Sequence, residues 1–207
     1  MSKANFNSAA FRRDDESPDS EFYAQPRFVT HIDDAAIGAV TQLYREFLPP
    51  GGAVLDLMSS WISHLPPEIS FREVVGLGMN AAELAANPRL SRYVVQDLNR
   101  DPALPFADGA FDAAVNCVSI DYLTQPVPVL REVARVLRPG APLVVTFSNR
   151  CFPTKAIHAW LSTDDDGRVA IVRALLQQSG GFSKIETFDR SPARGASDPL
   201  YAVIART

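Results

Sequence analysis

Phe111-Asp112-Ala113-Ala114-Val115-Asn116-Cys117, then Pro126-Val127-Pro128-Val129-Leu130-Arg131-Glu132-Val133-Ala134-Arg135-Val136-Leu137-Arg138-Pro139-Gly140, then Leu143-Val144-Val145-Thr146-Phe147 is the stretch whose reading decides the fold. It reads as a turn at Asp108-Gly109, an apolar strand over Phe111–Cys117, a helix from about Pro126 to Arg138, a stop at Pro139-Gly140 and a second strand. Proline suits a first helical turn, where its missing N–H would be unpaired anyway, and Gly140 supplies the left-handed geometry that closes a helix. Val129, Leu130, Val133, Val136 and Leu137 recur at helical spacing. One face of the helix must therefore pack on something, and the sheet is the nearest candidate.

Outward from this unit, short apolar runs at Ala53–Leu57, about Arg72–Leu77 and Arg92–Gln96 predict three earlier strands, and runs at about Lys184–Phe188 and Tyr201–Ala205 two later ones. Helices are expected over about Asp33–Phe47, capped by Asp33 or Asp34, over Ala81–Ala86, around Ile157, Trp160 and Leu161, and from about Arg168 to Ser179, where Gly180-Gly181 stops the chain. Met1 to about Pro18 is polar and charged and reads as a mobile tail. We divide the chain into a tail over 1–20 and one domain over 21–207 whose segment 21–50 forms a lid.

A chain of 207 residues with 46% hydrophobic content can bury one sizeable core. The net charge is only −4 and no basic stripe is present, which argues against nucleic acid as partner. Apolar runs are too short for a membrane span, and acidic residues stand where a signal peptide has its apolar core, so the expected compartment is the cytoplasm. His31, His64 and His158 are far apart and no Cys-x-x-Cys accompanies them, so no metal is expected. Cys117 and Cys151 read as idle thiols at strand ends. The sequence sets no oligomeric state.

The ordered set Leu104-Pro105-Phe106, Phe111-Asp112, Leu130 to Gly140 and Leu143-Val144-Val145-Thr146 resembles the second half of the class I S-adenosylmethionine-dependent methyltransferases, of the type 11-like kind. The resemblance implies a Rossmann-like, doubly wound α/β fold: a seven-stranded sheet, mostly parallel with the last strand antiparallel, and helices on both faces. It implies S-adenosyl-L-methionine as cofactor and a small-molecule methyl acceptor. Asp56, at the end of the first strand, then marks the cofactor position, in line with the rule that ligands bind beyond the carboxyl ends of parallel strands. The family's Gly-rich turn after that acid is absent, with Met58, Ser60 and Ile62 at the glycine places. A Cβ there restricts φ and space, which Ser59, Ser60 and Ser63 can offset with hydroxyl and backbone donors.

By the same resemblance Gly78 occupies the place of the acid that usually holds the ribose hydroxyls, leaving Met79, Asn80 or a backbone amide to replace it. Asp97 and the Leu98 amide inherit the adenine contacts, and the Asn116 or Cys117 carbonyl the cofactor's ammonium. Tyr23, Phe28 and His31 become lid residues, Asp121, Tyr122 and Arg150 face the acceptor, and His31 or Asp121 serves as base. A small thiol is one candidate acceptor, since it reacts as thiolate in a compact apolar pocket. Two other readings stand beside this one. Gly76-x-Gly78-x-x-Ala81 with Asp97 downstream also suits a nicotinamide dinucleotide, and the Gly-poor turn suits a non-catalytic interaction protein built on the same shell.

Overall fold

The computed structural model describes residues 8–193 and 195–207. A 3₁₀ turn, Ser8–Phe11, leads to α1 (Asp19–Phe22) and α2 (Asp34–Phe47); then come β1 (Ala53–Leu57), β2 (Glu73–Gly78), α3 (Ala81–Ala86), β3 (Arg92–Val95) and β4 (Ala113–Cys117). A second 3₁₀ turn, Ile120–Tyr122, precedes α4 (Pro126–Val136), β5 (Pro142–Phe147), α5 (His158–Leu161), α6 (Asp165–Ser179), β6 (Lys184–Asp189) and β7 (Tyr201–Arg206). The strands form one sheet in the order β3-β2-β1-β4-β5-β7-β6. β1 to β5 pair in parallel, and β7 is antiparallel to both its neighbours. This is the doubly wound, seven-stranded architecture expected, with the chain's last strand as the antiparallel one.

Side chains alternate across the sheet as the strand period requires. Leu55, Leu57, Leu143 and Val145 join one core layer with Val129, Leu130 and Val133 of α4 and Val172 and Leu176 of α6. Val54, Val74 and Val144 join the other with Ala36, Val40, Leu43 and Tyr44 of α2. The chain order reverses between β1 and β4, which opens a crevice at their carboxyl ends. The Asp33 carboxylate caps α2 by accepting from the Ala36 amide, and Gly180 closes α6 at φ 75°.

Three expectations need correction. α4 ends at Val136 because Leu137 is already extended and bridges to Phe111, so Gly140, at φ 79°, serves the turn into β5 and not the helix end. Nearly half of the supposed lid over 21–50 is α2, which is core; the chain before Asp33 reaches the sheet edge. The described part of the expected mobile tail, residues 8–20, is docked. The Arg12 carbonyl accepts from the His158 amide, the Asp15 amide donates to Thr154, and Arg13 pairs with Asp19 at 2.8 Å. At the centre lies Lys155, fully buried, its Nζ 3.1 Å from Asp15, 3.3 Å from Asp19 and donating to the Ser17 carbonyl. Charges that read as solvated are the complement of one lysine some 140 residues away in sequence.

Replacing Lys155 with alanine leaves Asp19 without one of its two cationic partners. The expected result is a loss of about 3 kcal/mol in urea unfolding, the scale for breaking a buried ion pair, with faster amide exchange across residues 12–22.

Candidate functional site at the carboxyl edge of the sheet

The turn after β1 is built around a buried carboxylate. Asp56 accepts hydrogen bonds from the Ser59 and Ser63 hydroxyls, both at 2.6 Å. Burial pushes its pKa up to about 6, against the opposing effect of those two donors. The Ser59 amide donates to the Leu77 carbonyl at 2.8 Å, the Ser60 hydroxyl to Glu83 at 2.7 Å, and the Asn87 side-chain amide to the Ser60 carbonyl and the Ser63 hydroxyl. Met58 takes a left-handed φ of 58° at the place where glycine was expected, so the turn keeps its path without glycine's freedom.

Beyond this turn lies a cavity that opens to solvent. Met58, Ser59 and Ser60 form one side, Gly78, Met79 and Asn80 the next, Asp97 and Leu98 the far end, and Cys117, Val118 and Tyr122 the other wall. Its roof comes from the docked N-terminal strap through Asp19, Tyr23, Arg27 and His31, with Phe152 from the loop after β5. Asp97 uses one carboxylate oxygen to accept from the Asn99 amide, and its other oxygen makes no hydrogen bond to a described residue. Tyr122 fixes the wall by accepting from the Phe152 amide, and burial raises the pKa of both Tyr122 and Tyr23. Burial also pushes the Cys117 thiol up to about 11, which keeps it protonated.

Several expected residues are placed otherwise. A Cβ on Gly78 would lie 2.2 Å from the Ser59 carbonyl oxygen, so backbone fills the space an acid there would need. A Cβ on Gly76 would meet Leu90 at 2.4 Å, so both glycines serve close packing. Asn80 is occupied as the N-cap of α3 and as donor to the Tyr23 and Ala24 carbonyls. Asn116 does not line the cavity; its amide donates to the Leu57 carbonyl and the Ser119 hydroxyl inside the sheet. Asp121 is 3% exposed, off the cavity wall, and burial pushes its pKa up to about 8. Phe28 is half exposed and packs edge-on to Trp61. Arg150 is exposed at the surface, 3.9 Å from Asp198.

Other residues were missed. Glu83 accepts from the Arg27 amide and the Ser60 hydroxyl, tying strap to turn; three residues after the cap Asn80, it has the spacing of a capping box and carries no signal of that longer reach. Arg27 stacks over Phe22 at 4.5 Å and Phe152 at 5.4 Å, and its Nη1 is buried without a partner. A second, smaller cavity is lined by Met58, Ser59, Cys117, Val118 and His64. His31 borders both cavities, 5.1 Å from Phe152, and burial lowers its pKa. Among the described residues no group of three or more His, Cys, Asp or Glu is arranged to hold a metal ion, and no helix is long and apolar enough to cross a membrane.

The sheet order and a ligand-sized crevice at the reversal define a class I methyltransferase fold. A family model described as a methyltransferase domain matches residues 60–145. The chain is 32% identical over 119 residues to the demethylmenaquinone methyltransferase of Renibacterium salmoninarum, covering 56% of this chain and 46% of that protein. It thus spans about half the length of this curated relative. Among solved structures it is similar to an S-adenosylmethionine-dependent methyltransferase from Mesorhizobium loti, at 19% identity and a TM-score of 0.57 over 82% of this chain and 98% of that one. It is also similar to the cyclase SpnF, at 17% identity and a TM-score of 0.60 over 81% and 79%. The family model and the relative are both methyltransferases, in line with the family that the run from Leu104 to Thr146 resembles.

Two measurements check this geometry. Gly78→Asp forces a side chain against the Ser59 carbonyl and should cost about 1–3 kcal/mol, as overpacking does, seen as a lower melting temperature. Asp121 has a folded pKa raised above the ordinary carboxylate value, so the folded state binds its proton more tightly and stability is lost as pH rises toward 8. Asp121→Asn removes that loss. Urea unfolding should show the variant more stable than the parent at pH 8 and little different near pH 4.

Proposed function

We propose that this chain is an S-adenosylmethionine-dependent methyltransferase acting on a small-molecule acceptor. The observation that carries the proposal is convergence: Asp97 and Leu98, Met58 to Ser60, and Cys117, singled out separately along the sequence, line one cavity at the carboxyl edge of β1 to β4. The donor set fits an adenosyl cofactor. Asp97 has an oxygen left to accept from an exocyclic amino group, and the Leu98 amide lies at the same end. Asp56 holds the turn that faces the amino-acid end, and Glu83 brings a carboxylate to the same cavity that Gly78 lines.

When bound, the cofactor supplies a methyl group already activated on a sulfonium. The chain's own task is to position the acceptor and receive its proton. Of the two expected bases His31 borders the cavity and Asp121 does not. Tyr23, Tyr122 and Phe152 give the mouth an aromatic, weakly polar lining, as small-ligand sites have. The relative's name, demethylmenaquinone methyltransferase, supports a small-molecule acceptor, and a small thiol remains a candidate within that class.

Calorimetry tests the reading. S-adenosylmethionine and S-adenosylhomocysteine should both bind, a nicotinamide dinucleotide should not, and Asp97→Ala should weaken binding by about 1–3 kcal/mol, the scale for an unsatisfied partner group. No heat from either sulfur compound would leave the interaction-protein reading in its place.

A further inference from the structure

The side chains of the turn over residues 58–64 are tied down by hydrogen bonds at Ser59, Ser60, Trp61 and Ser63. Ser59 and Ser63 donate to Asp56, Ser60 donates to Glu83, and the Trp61 Nε1–H donates to the Val29 carbonyl at 3.0 Å. The His64 carbonyl accepts from the Thr41 hydroxyl at 3.0 Å, which pins the backbone to α2. The His64 Nδ1 is buried and has no partner. A buried polar atom without a hydrogen bond is uncommon and needs a reason. Here it borders a cavity.

That cavity is the second one, and Met58, Ser59, Ser60, Cys117, Val118 and His31 line both it and the larger cavity. The three non-glycine residues at positive φ among the described residues all border it: Met58 at 58°, His64 at 53° and Val118 at 42°. Such backbone costs on the order of 1–3 kcal/mol per residue and collects at functional sites. The remaining lining is mostly apolar, through Ile32, Trp61 and Ile62, and no Lys or Arg is among the described residues that line it. An anionic acceptor would find no counter-charge there.

We infer that this second cavity is the acceptor site, and that it takes a small, uncharged, largely apolar compound whose single hydroxyl or thiol hydrogen is received by the His64 Nδ1. The inference rests on the methyltransferase reading above. In the transfer the acceptor's oxygen or sulfur gives a lone pair to the methyl carbon, the bond from that carbon to the sulfonium breaks with its pair left on sulfur, and the acceptor's proton passes to Nδ1. Burial and the neighbouring His31 hold the His64 imidazole in its neutral form, with a free lone pair, by pushing its pKa down to about 4. Asp56 and Cys117 are the other titratable groups lining the cavity, and burial raises both toward their neutral forms.

The chain has three histidines, His31, His64 and His158, so a histidine-labelled sample gives a spectrum that can be assigned by substitution. His64→Asn is the variant of choice, since asparagine tolerates positive φ. Protein loaded with S-adenosylhomocysteine is titrated with phenol, benzenethiol and benzoate. Phenol or benzenethiol should shift the His64 ring signals saturably and benzoate should not. With the probe that binds, His64→Asn should slow release of S-adenosylhomocysteine from S-adenosylmethionine by about 100-fold, the general-base scale, while its affinity for S-adenosylhomocysteine stays within about twofold. Unmoved His64 signals with S-adenosylhomocysteine bound, or unchanged turnover in the variant, overturn the inference and leave the cofactor reading intact. Failure of the parent protein to bind S-adenosylhomocysteine instead overturns the cofactor reading.

Discussion

One buried carboxylate organises the edge of the sheet where ligands bind. Asp56 sits at the end of a central strand, where ionisation is costly, and the two serines that donate to it fold the next seven residues back over β2. That path brings the Ser59 carbonyl against Gly78. The absence of a side chain at Gly78 and the absence of glycines in the preceding turn are therefore one adaptation. A glycine-rich turn lets a ligand approach backbone directly; here backbone approaches the neighbouring strand, and serine hydroxyls supply the rigidity.

The same arrangement couples the turn to the N-terminal strap. Glu83 accepts from Ser60 on one side and from the Arg27 amide on the other, while Asn80 donates to the carbonyls of Tyr23 and Ala24. At its other end the strap is held by Lys155 and, through Asp19, by Asn99, which also donates to the Tyr122 carbonyl. The roof of the larger cavity is thus anchored to three of its walls by hydrogen bonds and ion pairs, and by the ring contacts of Phe22 and His31 with Phe152. An anchorage of that kind weakens with a change of charge more readily than with a change of shape, because each partner left alone is a buried charge.

The strands and helices were legible because their causes are local. Period-two and period-3.6 patterns, a proline at the start of α4 and an aspartate before α2 place β1, α2, α3 and α4 to within two residues. The adenine-end pair Asp97 and Leu98 was legible for a related reason: a strand end fixes which residues reach the carboxyl edge. Side-chain direction in the loops was not legible. Asp121, Phe28 and Arg150 lie in segments of the right topology, yet a 3₁₀ turn buries the first, Trp61 takes the second and Asp198 lies beside the third. Lys155 and Glu83 act across long sequence separations, and no pattern of spacing encodes such a partner.

The two histidines on the cavity walls follow from this division of labour. On the methyltransferase reading proposed above, a sulfonium methyl needs no activation by the protein, so the demands left are alignment and a place for one proton. A charged base beside a cationic donor would compete with it electrostatically or pair with it; a neutral imidazole does neither and still offers a lone pair. Burial keeps His31 and His64 on the neutral side of their equilibrium, and the positive charge of either would oppose that of the other. Of the pair, only His64 combines a pinned backbone with a ring nitrogen that is buried and unmet. Desolvation that is costly for an unpaired nitrogen becomes an advantage once an acceptor donates to it, because in a water-poor pocket that hydrogen bond has no competitor.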